Sequence, residues 1–301
     1  MVVSIVIPTY GRGEKLGATL DALLVSDMSG LDAVEIIVVD DGSPELVAPV
    51  VESRVACSPI SLRCIRQDNA GPAVARNRGF RESSGDIVLF LDDDVELEPD
   101  FVERLIEGYA DDPAVTGISG IITNYTPGGF ASRMWKRFFV HGPFYDDRQE
   151  IYHRADELRE AGRIAVSRFG GGLMSFRTDR IGGLRFDRNL QGASEGEDVD
   201  FCMHLPKGAR LEIDPRARLV HNASVAARKS EHWIASVVRG SSYLYYRNWR
   251  SGLTNRVAFF WLMCGFGMFS LAASIKRLSL LPWQAFRKAL RYGKTVGLAS
   301  K

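Results

Sequence analysis

At its most informative point the chain reads Ile87-Val88-Leu89-Phe90-Leu91-Asp92-Asp93-Asp94. Five apolar residues in a row, with no polar alternation, predict a β-strand that is covered on both faces. Three consecutive carboxylates after such a strand repel one another unless a counter-charge is present. A divalent cation supplies that charge, and Asp oxygens suit Mg²⁺ or Mn²⁺. The alternative is a solvated acidic turn ahead of a helix that begins at Pro99.

The chain before this point alternates short β-branched runs with amphipathic stretches. This alternation predicts an α/β fold with a mostly parallel sheet and helices on both faces. Ligand-binding loops of such a sheet follow the carboxyl ends of its strands. The predicted strands and the helices that follow them are Ile5–Ile7 with Glu14–Leu24, Ile36–Val39 with Glu45–Glu52, Leu62–Ile65 with Ala73–Phe80, and Ile87–Leu91 with Phe101–Tyr109.

The pattern changes after residue 123. Residues 124–166 are polar, aromatic and irregular, which is typical of a lid, a binding loop or a mobile insert. Strand character returns over Ser167–Phe176, and residues from Glu231 onward are predicted to be helical. We therefore expect one domain over residues 1–225, made of a half at 1–123 and a half at 124–225, and a helical extension over 226–301. The other predicted elements are a helix over Glu197–Leu205 and strands at Leu211–Ile213 and Arg218–His221.

Composition excludes several classes of protein. The 301 residues include 38 basic and 37 acidic ones, a net charge of +1, and 46% are hydrophobic. These values exclude a disordered chain, a disulfide mini-protein and a strongly cationic nucleic-acid binder. The first residues lack the basic region and cleavage site of a signal peptide. Four cysteines without a CxxC pair are interpreted as reduced thiols in a cytoplasmic protein: Cys57, Cys64, Cys202 and Cys264.

One apolar segment raises the question of a membrane. Val257–Ile275 contains no charged residue and is flanked by Arg256, Lys276 and Arg277. Its length approaches the roughly 20 residues that span a bilayer, but basic flanks on both sides define no orientation. The segment is interpreted as a spanning helix, as a helix lying on the membrane, or as a helix buried in the protein or in a homo-oligomer.

Two polar clusters follow the second and third strands. Asp40-Asp41-Gly42-Ser43 supplies an acid that can accept hydrogen bonds from a base or a ribose; alone it is equally an Asp-Gly turn. Gly71-Pro72 opens a helix that carries Arg76 and Arg78, whose guanidinium forks suit phosphate. Alone, that helix is interpreted as having a solvated basic face.

Three further features lie in the second half. Gly170-Gly171-Gly172 allows close approach to the backbone, or forms a flexible loop. Glu197-Asp198 supplies a general base, or acids that favour a helix N-terminus. His221 ends a strand-like run and is either structural or a further metal ligand.

Taken together and in this order, the motifs resemble a family 2 glycosyltransferase of the GT-A fold. The resemblance covers roughly residues 2–221, and its motifs are weak individually but specific in order and spacing. The matching pieces are Ser4-Ile5-Val6-Ile7-Pro8-Thr9-Tyr10, Val39-Asp40-Asp41-Gly42-Ser43, Asn69-Ala70-Gly71 with Ala75-Arg76-Asn77-Arg78-Gly79, Phe90-Leu91-Asp92-Asp93-Asp94 with Pro99, Gly171-Gly172-Leu173-Met174-Ser175-Phe176-Arg177, and Glu197-Asp198-Val199-Asp200.

The resemblance implies roles for single residues. Residues 1–123 would form the donor-nucleotide half and residues 124–225 the acceptor half. Asp198 would be the catalytic base, and Asp94, Asp92 and His221 would hold Mg²⁺ or Mn²⁺. The donor-binding residues would be Pro8, Thr9, Tyr10, Arg12, Asp41, Arg76, Asp92 and Asp93, and the acceptor-binding residues Gly171, Gly172 and Glu197.

The resemblance also implies a reaction. A sugar would pass from a nucleotide-sugar donor, by default a UDP-sugar, to a hydroxyl group in one inverting displacement. Trp135–Phe139 and Val257–Ile275 favour a lipid-linked or cell-envelope glycan as the acceptor, at the cytoplasmic face of the membrane. The alternatives are a sugar nucleotidyltransferase, for which Gly11-Arg12-Gly13 is a poor phosphate loop, and a non-catalytic membrane-docked module.

Overall fold

A computed structural model describes residues 1–28, 30–55, 60–126, 128–190, 196–222 and 231–299. It divides into two compact units. Unit 1 comprises Met1–Tyr125, Arg148–Gln191 and Glu197–Ala223, and unit 2 comprises Thr126–Asp147, Gly192–Gly196 and Ser224–Lys301. The predicted boundary at residues 225 and 226 and the thiol of Cys57 lie outside the described residues. The other three cysteines are free thiols, as predicted.

Unit 1 is built on one sheet of nine strands, β1 to β9. The strands lie in the order β3-β2-β1-β4-β8-β6-β9-β5, and β7 pairs with β9. Their bounds in chain order are Val2–Thr9, Ala33–Asp40, Ser61–Arg66, Ile87–Leu91, Val95–Leu97, Gly117–Ile122, Ile164–Val166, Leu173–Arg177 and Leu211–His221.

The strand directions divide the sheet. The first four strands are parallel, because β1 pairs with β2 and β4, and β2 pairs with β3. This part confirms the parallel prediction. Beyond β4 the sheet is mixed: β8 runs antiparallel to β4 and β6, β9 runs parallel to β6, and β5 and β7 run antiparallel to β9.

Helices cover both faces of this sheet, as predicted. On one face, Val3, Ile5 and Ile7 of β1 join a core with Leu16 and Leu20 of the first helix. On the other face, Val6 and Phe90 join Phe80 and Phe201 from two other helices. Side chains alternate across a strand, so one strand feeds both cores. The helices of unit 1 are α1 Gly13–Leu24, α2 Ala48–Val55, α3 Pro72–Glu82, α4 Phe101–Asp111, α6 Arg148–His153, α7 Thr178–Ile181 and α8 Glu197–Met203.

Unit 2 is helical, as predicted from residue 231 onward. Gly293 and Gly297 lie one helical turn apart on its last helix, and a Cβ at either position would come within 2.7 Å of a carbonyl oxygen of the helix that begins at Glu231. These glycines therefore let two helices pack closely. The helices are α5 Phe130–Phe139, α9 Glu231–Leu244, α10 Leu253–Lys276 and α11 Leu281–Ala299, with a 3₁₀ turn at Gly142–Phe144 and a π-helical turn at Tyr245–Trp249.

Some predicted elements differ from the structure. The helix predicted to begin at Glu45 begins at Ala48, with Pro49 in its first turn, where a missing N–H leaves no bond unmade. The two strands predicted near residues 211 and 218 form the single strand β9. The segment predicted to be irregular, residues 124–166, contains α5, α6 and β7. In α5 the apolar residues Phe130, Met134 and Phe138 recur every four residues, so a helical period was present in the sequence there and the prediction overlooked it.

Candidate active site

The polar residues predicted to meet at one edge of the sheet do meet there. Thr9 ends β1, Asp40 ends β2, and Asp92 follows β4. The strands that carry them are adjacent and parallel. Parallel strands present their carboxyl ends at the same edge, so side chains far apart in sequence become neighbours.

Asp41 organises the loop that leads into α3. Its buried carboxylate accepts hydrogen bonds from the backbone N–H groups of Ala70 and Gly71, at 3.0 and 2.8 Å, and from Nε2 of Gln67 at 2.7 Å. Gly42, the residue after Asp41, has a φ of +78°, and a Cβ there would lie 2.8 Å from the backbone nitrogen of Asn69. A side chain at position 42 would therefore push this loop away from Asp41.

Asp93 is buried at the end of β4. Its Oδ2 accepts a hydrogen bond of 2.6 Å from the hydroxyl of Thr9, and its Oδ1 lies 2.9 Å from Nη1 of Arg12. Burial disfavours the charged carboxylate more than Thr9 and Arg12 favour it, and this raises the pKa of Asp93 to about 6.

Asp94 lies beside Asp93 and behaves in the opposite way. Burial alone would raise the pKa of Asp94, but the hydrogen bond from His221, together with the charges of His221 and Arg12 and a bond from Lys15, lowers it to about 2. Nε2 of His221 lies 3.0 Å from Oδ1, and Nζ of Lys15 lies 3.3 Å from Oδ2. Asp94 is therefore ionised at neutral pH, with its charge available to a cation.

Asp92, Asp94 and His221 can hold a metal ion. One ligand atom from each lies within 4.8 Å of the others. The register of β5 and β9 places Val95 opposite His221, which brings the imidazole beside the neighbouring Asp94. Asn124 exchanges two hydrogen bonds of 3.0 Å with the backbone of His221 and holds that strand end in place. Two carboxylates and one imidazole form a donor set for a divalent cation.

Gly172 provides room for this cluster. A Cβ at that position would lie 2.6 Å from Oδ2 of Asp92 and 3.7 Å from Cε1 of His221. Contacts below 3.0 Å do not occur without displacement of one partner. The glycine run was predicted to let another group come close to the backbone. At Gly172 the group that comes close is the carboxylate of Asp92.

Arg76 connects the metal-ligand cluster to α8. Its side chain is 4% exposed, and it donates to Oδ1 of Asp92 at 3.1 Å, to the carbonyl of Gly171 at 2.8 Å and to Oε1 of Glu197 at 3.0 Å. Burial alone would lower the pKa of Arg76, but the charges of Asp92 and Glu197 raise it. The guanidinium therefore stays charged and joins Asp92 to Glu197, which lies 121 residues after Arg76 in the sequence.

The start of α8 completes the site. Burial and the neighbouring charge of Asp198 raise the pKa of Glu197, and Arg76 opposes that rise. Asp198 is half-buried; its Oδ2 accepts a hydrogen bond of 2.8 Å from the N–H of Gly171, and its Oδ1 accepts one of 2.9 Å from Val199. Gly171 thus binds Arg76 through its carbonyl and Asp198 through its N–H, and it fixes the distance between the two.

Most of the predicted site residues converge in unit 1. Pro8 and Tyr10 lie at the end of β1, and the Tyr10 side chain is exposed. Asp41 lies next to them at the end of β2. The sequence reasoning missed Lys15, which binds Asp94 and the carbonyl of Asn222. Its position three residues after Arg12, at the start of a predicted helix, was the signal that could have found it.

The sequence that builds this site also matches a known protein family. The model of glycosyl transferase family 2 matches residues 4–177. The chain belongs to glycosyl transferase family 2.

This glycosyltransferase is similar in sequence to proteins of other organisms. It is 30% identical over 234 residues to the glucosyl-dolichyl phosphate glucuronosyltransferase of Haloferax volcanii, covering 73% of this chain and 69% of the relative. It is 27% identical over 255 residues to the succinoglycan biosynthesis protein ExoM of Rhizobium meliloti, covering 84% of this chain and 74% of that one.

A solved structure supports the fold. The mannosyltransferase PcManGT from Pyrobaculum calidifontis, in complex with GDP-Man and Mn²⁺, superposes with a TM-score of 0.60 at 18% identity, covering 99% of this chain and 87% of the other. The glycosyltransferase described here thus has the GT-A fold, and the prediction of family and fold is confirmed.

Proposed function

We propose that this glycosyltransferase moves a sugar from a nucleotide-sugar donor to a hydroxyl group of a glycan or lipid-linked acceptor, with inversion at the anomeric carbon. The observation that carries the proposal is the link between two sites. Asp92 of the metal-ligand cluster and Asp198 of α8 are joined through Arg76 and Gly171, at hydrogen bonds of 2.8 to 3.1 Å. A diphosphate held at the first site therefore presents its sugar close to the carboxylate of the second.

Asp92, Asp94 and His221 would hold the metal, Mg²⁺ or Mn²⁺. Their ligand atoms converge, and the space at Gly172 accommodates Asp92. A metal bound there would neutralise charge on the departing diphosphate. The presence of Mn²⁺ in the PcManGT complex supports this assignment.

The donor residues divide by chemistry. Pro8, Thr9, Tyr10 and Asp41 lie at the ends of β1 and β2, where they would contact the nucleoside. Arg12 is 51% exposed and lies within 3.2 Å of Asp94, so it would reach the diphosphate without the cost of burying a charge. Lys15, which is 39% exposed and also binds Asp94, would assist Arg12.

Asp198 would act as the general base. Its carboxylate is half-buried and is held by two backbone N–H groups, which leaves oxygen lone pairs for an acceptor hydroxyl. It would take the hydroxyl proton as that oxygen attacks the anomeric carbon and the bond to the diphosphate breaks. One such displacement inverts the configuration. Gly171, Gly172 and Glu197 stay predicted as acceptor-side residues, with Glu197 acting through Arg76.

The acceptor and its location extend this proposal. The names of the two relatives, one a dolichyl phosphate enzyme and the other a succinoglycan biosynthesis protein, support a lipid-linked or cell-envelope glycan. We further propose that the enzyme is cytoplasmic and peripheral on the cytoplasmic face of the membrane, where it would meet such an acceptor. Contact between copies through the C-terminal helices is the alternative use of unit 2.

A thermal-shift screen tests the donor. UDP-, GDP-, dTDP- and CMP-sugars are each added with Mn²⁺ and with EDTA, and one nucleotide class should raise the melting temperature only with the metal. Asp94→Ala should abolish that metal-dependent shift, whereas Asp179→Ala, at an exposed position of α7, should preserve it. Release of pyrophosphate from a nucleoside triphosphate would instead identify a nucleotidyltransferase. Metal-independent binding without donor hydrolysis would indicate a binding module.

A further inference from the structure

The two parts of the chain carry opposite charge. Residues 224–301 contain 13 Lys and Arg residues and one acidic residue, Glu231, which is a net charge of +12. Because the whole chain has a net charge of +1, residues 1–223 carry −11. Although the whole chain is nearly neutral, its C-terminal segment is strongly cationic, and this segment lies wholly in unit 2.

The longest helix of unit 2 has one exposed apolar face. In the described part of the chain, α10 is the helix long and apolar enough to cross a bilayer by length and composition. Its opposite face joins the core of unit 2 through residues such as Leu262 and Phe266. The exposed face, here called the α10 stripe, contains Leu253, Val257, Phe260, Met268, Leu271 and Ile275. Their spacing of three, four or eight residues places them on one side of the helix, along about 36 Å.

A second exposed face lies against the stripe. Phe130, Met134 and Phe138 of α5 are exposed at four-residue intervals. Nε1 of Trp261 on α10 donates a hydrogen bond of 2.7 Å to the carbonyl of Phe138, and the two rings lie 5.3 Å apart. The apolar surface of α10 therefore continues onto α5.

Basic residues border this surface. Arg256 and Lys276 are exposed near the two ends of the α10 stripe, and Arg133 and Arg137 are exposed on α5 beside its apolar residues. An apolar strip with cations at its margins matches an anionic lipid surface, in which acyl chains lie below phosphate headgroups.

We infer that unit 2 docks the enzyme on a bilayer that contains anionic lipid, with the α10 stripe and α5 inserted among the headgroups. The docking itself does not depend on the proposed function. Only its use does, which is to bring the active site to a lipid-linked acceptor.

Other occupants of the surface fit less well. A second copy would cover the stripe but would bring two segments of +12 together. A nucleic acid would satisfy the cations but leave the stripe in water. A bilayer-spanning α10 would carry the helices packed on its buried face, α9 with Val238 and α11 with Phe286, into the hydrocarbon region. On α11 that would include exposed Arg287 and Lys288.

Vesicle co-sedimentation of the full chain tests the inference. Vesicles of phosphatidylcholine mixed with phosphatidylglycerol should bind it, vesicles of phosphatidylcholine alone should bind far less, and high salt should release it. The double variant Phe260→Ser and Ile275→Ser removes two apolar residues of the α10 stripe and should weaken vesicle binding at least about tenfold. The double variant Arg256→Gln and Lys276→Gln should weaken binding about thirtyfold, since each basic residue near an anionic surface contributes about 1 kcal/mol. The matched controls are exposed residues of unit 1: Val25→Ser with Leu46→Ser, and Arg81→Gln with Lys207→Gln.

Each contrary result has a definite meaning. Equal binding to both vesicle types, retention at high salt, or equal loss in the controls would overturn the inference. The inference would also be overturned if the parent chain were a dimer that binds no vesicles and the variant Phe260→Ser with Ile275→Ser were a monomer. Donor binding measured without vesicles separates the two proposals. If the parent chain does not bind donor, the proposed function is refuted. If it binds donor but does not bind vesicles, only the docking is refuted.

Discussion

The two acidic clusters of the active site neutralise their charge in different ways. The cluster after β4 is bound by Arg12 and Lys15, whose side chains are 51% and 39% exposed. The cluster at the start of α8 is bound by Arg76, which is 4% exposed. Exposed cations can exchange one partner for another in water, whereas a buried guanidinium that loses a partner has no water to replace it.

This difference separates binding from positioning. The first cluster can release its cations toward an incoming diphosphate while a metal replaces them. The second keeps the same partners throughout and holds Asp198 at a constant distance from Asp92 through Gly171. One cluster is therefore suited to exchange and the other to rigidity, and each of the following predictions tests one side of that contrast.

The largest expected effect is at Asp198. Asp198→Asn keeps the shape and, through its single amide oxygen, the hydrogen bond from Gly171, but it loses the bond from Val199 and removes the proton acceptor. Transfer should fall by about a thousandfold, since general bases contribute roughly 10² to 10⁴ in rate. Calorimetry should show unchanged donor affinity, and Asp179→Asn is the control. A variant that keeps more than a tenth of the transfer rate would show that another group takes the proton.

A comparable effect, on stability, is expected at Arg76. Arg76→Met leaves the buried carboxylate of Glu197 and the half-buried one of Asp92 without their partner, so the free energy of unfolding should fall by about 3 to 5 kcal/mol. Arg76→Lys should recover part of the loss, because an ammonium group cannot reproduce three directed bonds. Urea unfolding measures both. Arg81→Met, at an exposed position of α3, should change little; an equal loss there would mean that any change on this helix has the same cost.

The sequence predicts these two clusters unequally. Asp92, Asp94 and His221 could be predicted as metal ligands because the order of motifs resembles a known family and because Asp residues after a buried strand suggest a metal. The partners of Arg76 could not be assigned. A basic helix face looks solvated in sequence, and only the packed fold shows that Glu197, 121 residues later, lies against it.

The fold shows the same limit. Runs of apolar residues predicted the parallel strands β1 to β4, because each run is local. The antiparallel placement of β8 beside β4 depends on long-range pairing that local periodicity does not contain. Where a residue's role follows from its neighbours in the chain, sequence reasoning succeeds; where it follows from pairing across the sheet, the structure is needed.

A smaller effect concerns the pH dependence of stability. Asp93 has a folded pKa of about 6, above the value near 4 of an unfolded chain, so the folded state binds its proton more tightly. The stability that Asp93 contributes is therefore complete below about pH 4 and is lost as the pH rises to 6. Without metal, Asp93→Asn should gain up to about 3 kcal/mol relative to the parent chain between pH 4 and pH 7.

The neighbouring residue sets the opposite expectation. The folded pKa of Asp94 is about 2, below the unfolded value, so its stabilising contribution is present above about pH 4 and is lost as the pH falls toward 2. Asp94→Asn should therefore lose stability relative to the parent chain as the pH rises from 2 to 4. Urea unfolding in EDTA at each pH measures both variants. If the free energy of unfolding, relative to the parent chain, changed with pH in the same direction for both variants, the opposite pKa shifts assigned to Asp93 and Asp94 would be contradicted.

The smallest expected effect tests the room for exchange at the first cluster. Gly172→Ala would place a Cβ 2.6 Å from Oδ2 of Asp92, and the flexible carboxylate must then move away. Because no positive φ is needed at position 172, the fold should survive while the metal ligands are misaligned, and Mn²⁺ affinity should fall by about ten- to a hundredfold. Gly183→Ala, where a Cβ meets nothing within 4 Å, is the matched control. Calorimetry with Mn²⁺ decides the matter: unchanged affinity in Gly172→Ala would mean that Asp92 holds no metal and serves only to anchor Arg76, which would place both clusters on the rigid side of the contrast.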